Sequence, residues 1–345
     1  MKAGVIDISK KAWQRTFGRE RPASVSPVPP REDAVDLPFV FCVGAQKAGT
    51  TWLYNYFLSH PDVHVSAVKE MHYFDVLWDK SSAGFRNMRR KSLERMSSGE
   101  KAKSRKASEP GDPNSIEMLR DLLEMYDGNA SDHESYRRLM LKGAAGSSCV
   151  ADVTPSYSML DAGSYQRMAA SFPSSKFIYM MRDPVERMWS HLKMHMNTMR
   201  RKGDPEMDVD KLLDLVLQGE QAHILKRSAY GKTLDALSTL PQNQVHYMFY
   251  ESMFNDQAMT RLCRFLDVGF KSADYGTRVR DGNKQGMSPD QRDTLRWLCA
   301  PIYQKVHDIF GADVPPEWDV EARNTSRPGI LDNTAIAKTV LMGAG

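Results

Sequence analysis

The stretch that most constrains the fold runs from Pro38 to Tyr54 and reads PFVFCVGAQKAGTTWLY. It begins with a continuous apolar run, Phe39 to Val43, of the kind that forms a strand buried on both faces of a parallel sheet. A short loop bracketed by Gly44 and Gly49 follows, and glycines let a backbone approach a ligand closely. The sequence therefore predicts a strand, an anion-binding loop and a helix N-terminus in direct succession.

The residues inside this loop indicate which ligand it binds. Thr50 and Thr51 place hydroxyls beside the free N–H groups of the predicted helix, and Lys47 adds a positive charge, so a phosphate or sulfate suits the loop. A Walker A loop reads GxxxxGK[ST], whereas here the lysine lies inside the loop and a threonine follows Gly49. The pattern favours a nucleotide site outside the Walker A class. An ordinary strand-to-helix turn with a surface lysine is the alternative.

The composition is that of a globular chain. Of 345 residues, 41% are hydrophobic and 26% are charged, and the formal net charge is only +4, so no global attraction to nucleic acid or membrane is predicted. We find no apolar run that could span a bilayer and no signal-peptide core at the start. The four cysteines form no CxxC pair, which predicts reduced, buried residues at Cys42, Cys149, Cys263 and Cys299.

Changes in composition divide the chain into segments. Residues 1–36 are polar and become proline-rich, which predicts a flexible N-terminal tail before one domain at 37–315. Residues 79–113 are basic and serine-rich, which predicts a flexible insertion in that domain. Its basic run from Arg86 to Lys106 either binds a polyanionic partner or is simply solvated. Residues 316–345 are interpreted as a C-terminal tail.

Strand-like and helical patterns alternate along the domain. Strand-like or extended segments are predicted at 39–43, 63–65, 71–76, 148–153, 176–181 and 244–250. Helical spacing is predicted from 50 and at 116–126, 133–141, 165–171, 209–217, 223–240, 259–266 and 288–310. This alternation predicts an α/β fold, a single domain with a central, mostly parallel sheet flanked by helices.

A second candidate anion site follows the strand at 176–181 and reads RDPVERMWS. Asp183 is a favourable N-cap, Pro184 suits the first helical position and Glu186 is placed to complete a capping box. Ser190 lies off the apolar stripe of this helix, so Arg182 and Ser190 can face one crevice. Ligands of open α/β sheets bind outside the carboxyl ends of the strands, so both loops can share one ligand.

Taken together, these segments resemble the sulfotransferases that use 3′-phosphoadenosine 5′-phosphosulfate (PAPS). The resemblance rests on GAQKAGTTW, KEMHYFD, DVTPSY and RDPVERMWS, in that order, and extends loosely from residue 37 to 311. It implies that a P-loop-like 5′-phosphosulfate loop holds the 5′ end of PAPS through Lys47, Thr50 and Thr51. It also implies that Arg182 and Ser190 hold the 3′-phosphate and that adenosine 3′,5′-bisphosphate is the product.

The KEMHYFD segment resembles the KE(V/P)HFFD segment of the heparan sulfate branch and its bacterial relatives, where the glutamate is the proposed base. Glu70 is therefore our candidate to take the proton of the acceptor hydroxyl as it attacks sulfur in line. His72 is the competing candidate, because a histidine serves as base in cytosolic members and an extended segment would put both residues on one face. A structural hydrogen-bonded pair is the third interpretation.

The resemblance also suggests further cofactor-binding residues. The loop contributes Gly44, Gln46, Ala48 and Gly49, and Trp52 either packs near the adenine or belongs to the core. Tyr230, in SAYGKTLDAL, and Lys284, in RVRDGNKQGMSP, are looser counterparts. DVTPSY departs from the heparan branch, with Asp152 and Val153 where that branch has Glu-Lys, so its glycan specificity does not transfer.

The implied reaction needs no metal, since a lysine near the bridging oxygen could stabilise the leaving phosphate. His191 and His195 have i, i+4 spacing but lack the glutamate of HExxH and a third ligand. We expect a PAPS-dependent sulfotransferase with a hydroxyl-bearing small molecule or glycan as acceptor. The alternatives are an ATP-dependent kinase of the P-loop class and a non-catalytic adenine-nucleotide or polyanion-binding module. The expected location is cytoplasmic, or the Golgi lumen if the chain is a trimmed form.

Overall fold

One parallel sheet organises the part of the chain that the computed structural model describes, which is residues 37–66, 68–98, 115–128, 130–276 and 286–318. Its strands are β1 (Phe39–Gly44), β2 (Val63–Val65), β3 (Cys149–Val153), β4 (Lys176–Met181) and β5 (Val245–Phe249). They lie in the order β2-β3-β1-β4-β5, and every neighbouring pair is parallel. The predicted α/β fold with a central parallel sheet is confirmed.

Helices flank the sheet and connect its strands. They are α1 (Thr50–Ser59), α2 (Tyr73–Trp78), α3 (Gly84–Ser97), α4 (Ile116–Asp127), α5 (Glu134–Leu141), α6 (Ala162–Ser171), α7 (Pro184–Arg201), α8 (Val209–Leu217), α9 (Ala222–Lys226), α10 (Tyr230–Leu237), α11 (Asp256–Leu266) and α12 (Pro289–Phe310). Helix α7 packs on α8 and α12, and α10 packs on α6 and α12.

The position of β1 explains why its sequence is so apolar. All six of its residues are buried, as expected for a strand with neighbours on both sides and helices on both faces. It pairs with β3 through Phe39 and Val150 and with β4 through Val40 and Lys176. Because the strands are parallel, their carboxyl ends meet at one edge of the sheet, where both predicted anion sites begin.

Two predicted elements are wrong. Residues 71–76 are not extended, because the chain turns at His72 and forms helix α2 from Tyr73. The helix predicted at 223–240 is two helices, α9 and α10. The helical conformation is interrupted between them at Ser228. The Ser228 hydroxyl donates to the Ile224 carbonyl and accepts a hydrogen bond from Arg187 of helix α7.

The first part of the predicted basic insertion contains helix α3, which the sequence analysis did not predict. None of its residues is buried, yet it packs on α4, where Arg86 forms an ion pair with Asp127. The rest of the insertion, residues 99–113, lies outside the described residues, as do both predicted tails except for positions 316–318. All four cysteines are free and buried, as predicted. No helix in the described ranges is long and apolar enough to cross a membrane.

Candidate active site

The loop between β1 and α1 (residues 45–49, the β1–α1 loop) has a conformation that its glycines make possible. Gly49 has φ +91°, and a Cβ there would lie 2.8 Å from the ring of Tyr250. Gly44 would carry its Cβ 2.8 Å from that of Ser158. Lys47, between them, has a left-handed φ of +72°, as occurs in loops whose N–H groups form an anion-binding concavity. The loop then enters the N-terminus of α1, whose N-cap residue, Gly49, has no side chain to cap the free N–H groups.

A buried arginine that the sequence analysis did not select lies behind this loop. Arg187, on α7, has no exposed surface, and its Nη1 donates a 3.3 Å hydrogen bond to the carbonyl oxygen of Gln46. Its other terminal nitrogen donates to the Ser228 hydroxyl. Within the described residues, Arg187 Nε and Gln46 Oε1 are buried without hydrogen-bond partners. Arginine residues usually lie at the surface, and no local sequence pattern marked this one as buried.

Arg182 follows β4 and occupies the same edge of the sheet. Its guanidinium lies 4.8 Å from the ring centroid of Tyr250 and 3.7 Å from a carboxylate oxygen of Glu186. Tyr230 is buried, and its hydroxyl donates to the Arg182 carbonyl at 2.8 Å and accepts from the Arg182 N–H at 3.2 Å. Tyr230 therefore holds the backbone of Arg182. Ser190 lies farther along α7 and is half-buried.

The start of α7 is fixed differently from the predicted capping box. Asp183 does accept from the Glu186 N–H at 2.9 Å. However, its own N–H donates to Glu251, which also accepts from the indole of Trp318. The Glu186 side chain instead lies 3.1 Å from Arg292. The second hydrogen bond of a capping box, from the Asp183 N–H to the Glu186 side chain, is thus replaced by contacts to residues distant in sequence. These contacts attach the turn at Arg182 to the C-terminal part of the described chain.

Trp52 belongs to an aromatic cluster beside α1. It is 7% exposed, stacks on Tyr56 with 5.9 Å between ring centroids and meets Phe254 edge-on at 5.1 Å. Tyr275 covers it at 6.2 Å. These contacts account for Trp52 as a core residue, and its proximity to an adenine stays a prediction. Lys284 lies outside the described residues.

The Glu70 segment (residues 69–75) approaches the same edge from the side of β3. Both Glu70 and His72 have left-handed backbone angles, with φ +65° and +54°, so the predicted extended conformation is wrong. Glu70 N–H donates to the Val153 carbonyl at 3.2 Å and Met71 N–H donates to the Thr154 hydroxyl at 2.9 Å. These bonds attach the segment to the end of β3.

The side chains of this segment form a continuous chain of polar contacts. Lys69 Nζ lies 2.6 Å from Glu70 Oε1, and His72 Nε2 lies 3.7 Å from Glu70 Oε2. On its other side, His72 Nδ1 lies 2.7 Å from Asp75 Oδ2, to which the Ser156 hydroxyl also donates at 2.6 Å. Glu70 is 39% exposed, whereas Asp75 is buried. Of the two carboxylates in this series of polar contacts, Glu70 is therefore the one that a ligand can reach.

These contacts set the protonation of both candidate bases. Burial would raise the pKa of Glu70, but the neighbouring His72 and Lys69 lower it to about 2. Burial would lower the pKa of His72, but the hydrogen bond to Asp75 and the nearby carboxylate of Glu70 raise it above its ordinary value. Glu70 is therefore ionised at neutral pH, and the shift of His72 favours its protonated form.

Asp152 explains how the Glu70 segment is held. The carboxylate is buried and accepts hydrogen bonds from Tyr136 at 2.8 Å, Tyr157 at 2.9 Å and Thr154 at 2.6 Å. Thr154 in turn receives the Met71 N–H. Burial raises the pKa of Asp152, although these three hydroxyls oppose the shift. Asp152 is thus a buried anchor. It is linked through the Thr154 hydroxyl to the backbone N–H of Met71, the residue next to Glu70.

A phenylalanine at the start of α3 also reaches the Glu70 segment. The Phe85 ring stacks on His72 with 3.4 Å between centroids and 14° between planes. Tyr126, from α4, donates to the Met71 carbonyl at 2.7 Å. The segment predicted to be an insertion therefore begins beside the candidate site. Its composition alone did not predict this contact.

The histidines of α7 lie beside a second helix. The His195 and His223 rings are 4.7 Å apart, and His191 lies 6.0 Å from His223. Burial, together with neighbouring cations that include Arg227, lowers the pKa of His191, and burial lowers that of His223 to about 4. Across the described ranges, no group of three or more His, Cys, Asp or Glu residues is arranged to hold a metal ion.

Known proteins share this architecture. The chain is 23% identical over 334 residues to human carbohydrate sulfotransferase 15, a match that covers 82% of this chain and 54% of that protein, so it spans about half the length of this curated relative. A sulfotransferase structure from Alicyclobacillus acidocaldarius has a similar fold, with a TM-score of 0.56 and 22% identity over 83% of this chain and 100% of that one. The sequence profile of the Sulfotransferase family matches residues 38–272, from the start of β1 to beyond α11. Since that match covers most of the domain and includes both strand-end loops and the Glu70 segment, this chain belongs to the sulfotransferase family.

Proposed function

We propose that this chain transfers the sulfuryl group of PAPS to an acceptor hydroxyl. The observation that carries the proposal is the meeting of three strand ends at one edge of the sheet. The β1–α1 loop follows β1, Arg182 follows β4 and the Glu70 segment is hydrogen-bonded to the end of β3. An anion loop, a cation and a reachable carboxylate thus lie around the edge where ligands of parallel sheets bind.

The residues of this edge fit an anionic donor. The N-terminus of α1, with Thr50 and Thr51, is suited to the 5′-phosphosulfate, and Lys47 adds a full charge. Arg182, held by Tyr230, is suited to the 3′-phosphate together with Ser190. Arg187 Nε, a buried donor beside the loop with no hydrogen-bond partner among the described residues, is the kind of group that an anion-binding site leaves unpaired in the free protein.

Glu70 is the proton acceptor in this proposal. As the acceptor oxygen bonds to sulfur, the bond between sulfur and the bridging phosphate oxygen breaks, and the hydroxyl proton passes to Glu70. The attacking hydroxyl becomes strongly acidic as it loses electron density to sulfur, so a carboxylate with a pKa of about 2 can take its proton. The raised pKa of His72 favours its protonated form, which is suited to hold Glu70 in place.

Lys47 supplies the complementary charge. The leaving group is adenosine 3′,5′-bisphosphate, and negative charge develops on its bridging oxygen as the bond to sulfur breaks. A lysine within the loop that holds the 5′ end is placed to stabilise that charge. The base and the leaving-group stabiliser then lie on the two neighbouring strand ends β3 and β1.

The acceptor to test first is a carbohydrate hydroxyl, because the curated relative is a carbohydrate sulfotransferase. Acceptor pockets are built by loops that differ among relatives. A screen of glycans, small alcohols and phenols with labelled PAPS will identify the acceptor by transfer of label. Transfer to phenols alone would exclude the carbohydrate assignment.

Ligand titration tests the donor assignment. We expect adenosine 3′,5′-bisphosphate to bind more tightly than ATP or ADP, and to do so without Mg²⁺, because the site has a second place for the 3′-phosphate. Preference for Mg-ATP would instead support a kinase of the P-loop class. Binding of PAPS without label transfer to any acceptor would support a non-catalytic nucleotide-binding module.

A further inference from the structure

Arg187 occupies an environment that does not compensate its charge. Its side chain is fully buried, and the guanidinium stays protonated at neutral pH. Among the described residues it forms no ion pair with a carboxylate within 4.0 Å, and its hydrogen bonds go to a carbonyl and a hydroxyl. A buried charge without a counter-charge is strongly unfavourable. Such a residue is expected where a bound anion supplies the missing charge.

The ionisable neighbours of Arg187 do not supply that charge. Burial raises the pKa of the Tyr179 and Tyr230 hydroxyls and of the Cys299 thiol, so all three are neutral at pH 7. Arg227 is a second cation close enough to repel it. Two positive charges, those of Arg187 and Arg227, therefore lie close together behind the β1–α1 loop. The carboxylates of Glu70, Asp75 and Asp79 act on Arg227, whereas Arg187 has no carboxylate within ion-pair distance among the described residues.

The hydrogen bond to Gln46 allows the charge of Arg187 to act on the backbone of the β1–α1 loop. Arg187 donates to the Gln46 carbonyl oxygen, which belongs to the same peptide group as the N–H of Lys47. A cationic donor on the carbonyl polarises that peptide and makes its N–H a stronger donor. Lys47 has the left-handed conformation found in anion-binding loops.

We propose that Arg187 is a positioning residue for the donor, which holds the β1–α1 loop through the Gln46 carbonyl and whose charge is neutralised when the 5′-phosphosulfate binds. This inference rests on the proposed function, since it assumes that the loop receives the 5′ end of the nucleotide. It assigns Arg187 to the 5′ end only, in contrast to Arg182 at the 3′ end.

Calorimetric titration of three ligands tests this division. Arg187→Met should weaken the binding of adenosine 3′,5′-bisphosphate and of adenosine 5′-phosphosulfate by about 10- to 100-fold. This is the range expected for losing a charge-assisted interaction. The affinity for adenosine 3′-monophosphate, which lacks the 5′ group, should change by less than about 3-fold. Arg187→Lys retains the charge and should restore most of the affinity for the two 5′ ligands.

Two control variants separate charge from structure. Ser228→Ala removes one partner of Arg187 but keeps the charge, so the affinity for 5′ ligands should stay near that of the wild type. Arg201→Met makes the same charge change at an exposed position of the same helix and should also leave binding unchanged.

Equal losses for all three ligands, or wild-type binding by Arg187→Met, would overturn the assignment. If Arg187→Met does not fold, Arg187→Lys still decides, because a loss beyond about 10-fold for 5′ ligands would show that charge is not what matters. Failure of the wild type to bind adenosine 3′,5′-bisphosphate would reject the proposed function itself. Normal binding by the wild type with no selective effect at Arg187 would reject this inference alone.

Discussion

The β1–α1 loop and the Glu70 segment lie at neighbouring strand ends, but their conformations have different origins. The loop depends on its own glycines, since Gly44 and Gly49 have φ angles and close approaches that a side chain would not tolerate. The Glu70 segment contains no glycine and is held in left-handed angles by Val153, Thr154 and other distant residues. One half of the site is therefore encoded locally and the other by tertiary contacts.

The largest expected effect separates the chemistry of the two regions. Glu70→Gln removes the proposed proton acceptor but keeps the size of the side chain, so kcat should fall by roughly 10²- to 10⁴-fold. The affinity for adenosine 3′,5′-bisphosphate should barely change, because the loop is built independently. Steady-state kinetics and calorimetry measure the two quantities. Unchanged turnover would move the role of base to His72.

Arg182→Ala is expected to have the next largest effect and to act on binding. Loss of the cation at the proposed 3′-phosphate site should weaken the binding of adenosine 3′,5′-bisphosphate by about 10- to 100-fold. Adenosine 5′-phosphosulfate, which has no 3′ group, should lose much less affinity. Calorimetry with both ligands provides the test, and equal losses would show that Arg182 is misassigned.

Gly49→Ala tests the local origin of the loop. A Cβ at this φ of +91° and 2.8 Å from the Tyr250 ring should destabilise the protein by about 1–3 kcal/mol. It should also weaken nucleotide binding, whereas Gly163→Ala, in helix α6 where an added Cβ would make only ordinary contacts at 3.5 Å or more, serves as the control. Thermal unfolding and calorimetry measure both effects. Normal nucleotide affinity in Gly49→Ala would show that the loop tolerates another conformation.

Asp152→Asn makes the matching test of the Glu70 segment. Its amide cannot accept all three hydroxyl bonds, so we expect a loss of about 1–3 kcal/mol of stability. We also expect a fall in kcat of about 10-fold at unchanged nucleotide affinity, because Glu70 loses its orientation. Tyr165→Phe, which removes a buried hydrogen bond to the Tyr157 carbonyl, is the control for stability alone. If both variants kept full turnover, the anchoring role of Asp152 would be rejected.

The smallest expected effect is a pH dependence at His72. A histidine whose pKa is raised on folding contributes stability that is fully present below its ordinary pKa of 6.5 and is lost as pH rises through the folded value. The stability difference between wild type and His72→Gln should therefore shrink above neutral pH. NMR titration should also show a lower pKa for His72 in Glu70→Gln, because one of its two carboxylate partners is gone. An identical titration curve would exclude the coupling.

This difference in origin also decides what the sequence could predict. The buried strands, the β1–α1 loop and the Asp183 N-cap have local signals, namely apolar runs, paired glycines and a capping residue before proline. The turn at His72 has none, because its angles depend on partners brought together by the fold. Arg187 was missed for a related reason: a charged side chain predicts a surface position, and only the packing of α7 behind the loop buries it.

The central place of β1 has a consequence for how the protein is made. β1 and its loop leave the ribosome before the strands on either side of them, β3 and β4, which begin at residues 149 and 176. Tyr250, which packs against Gly49, is translated later still. Contacts between such distant residues form slowly, since long loops must close first. The nascent chain therefore carries the sequence of the β1–α1 loop long before the contacts that shape this loop can form.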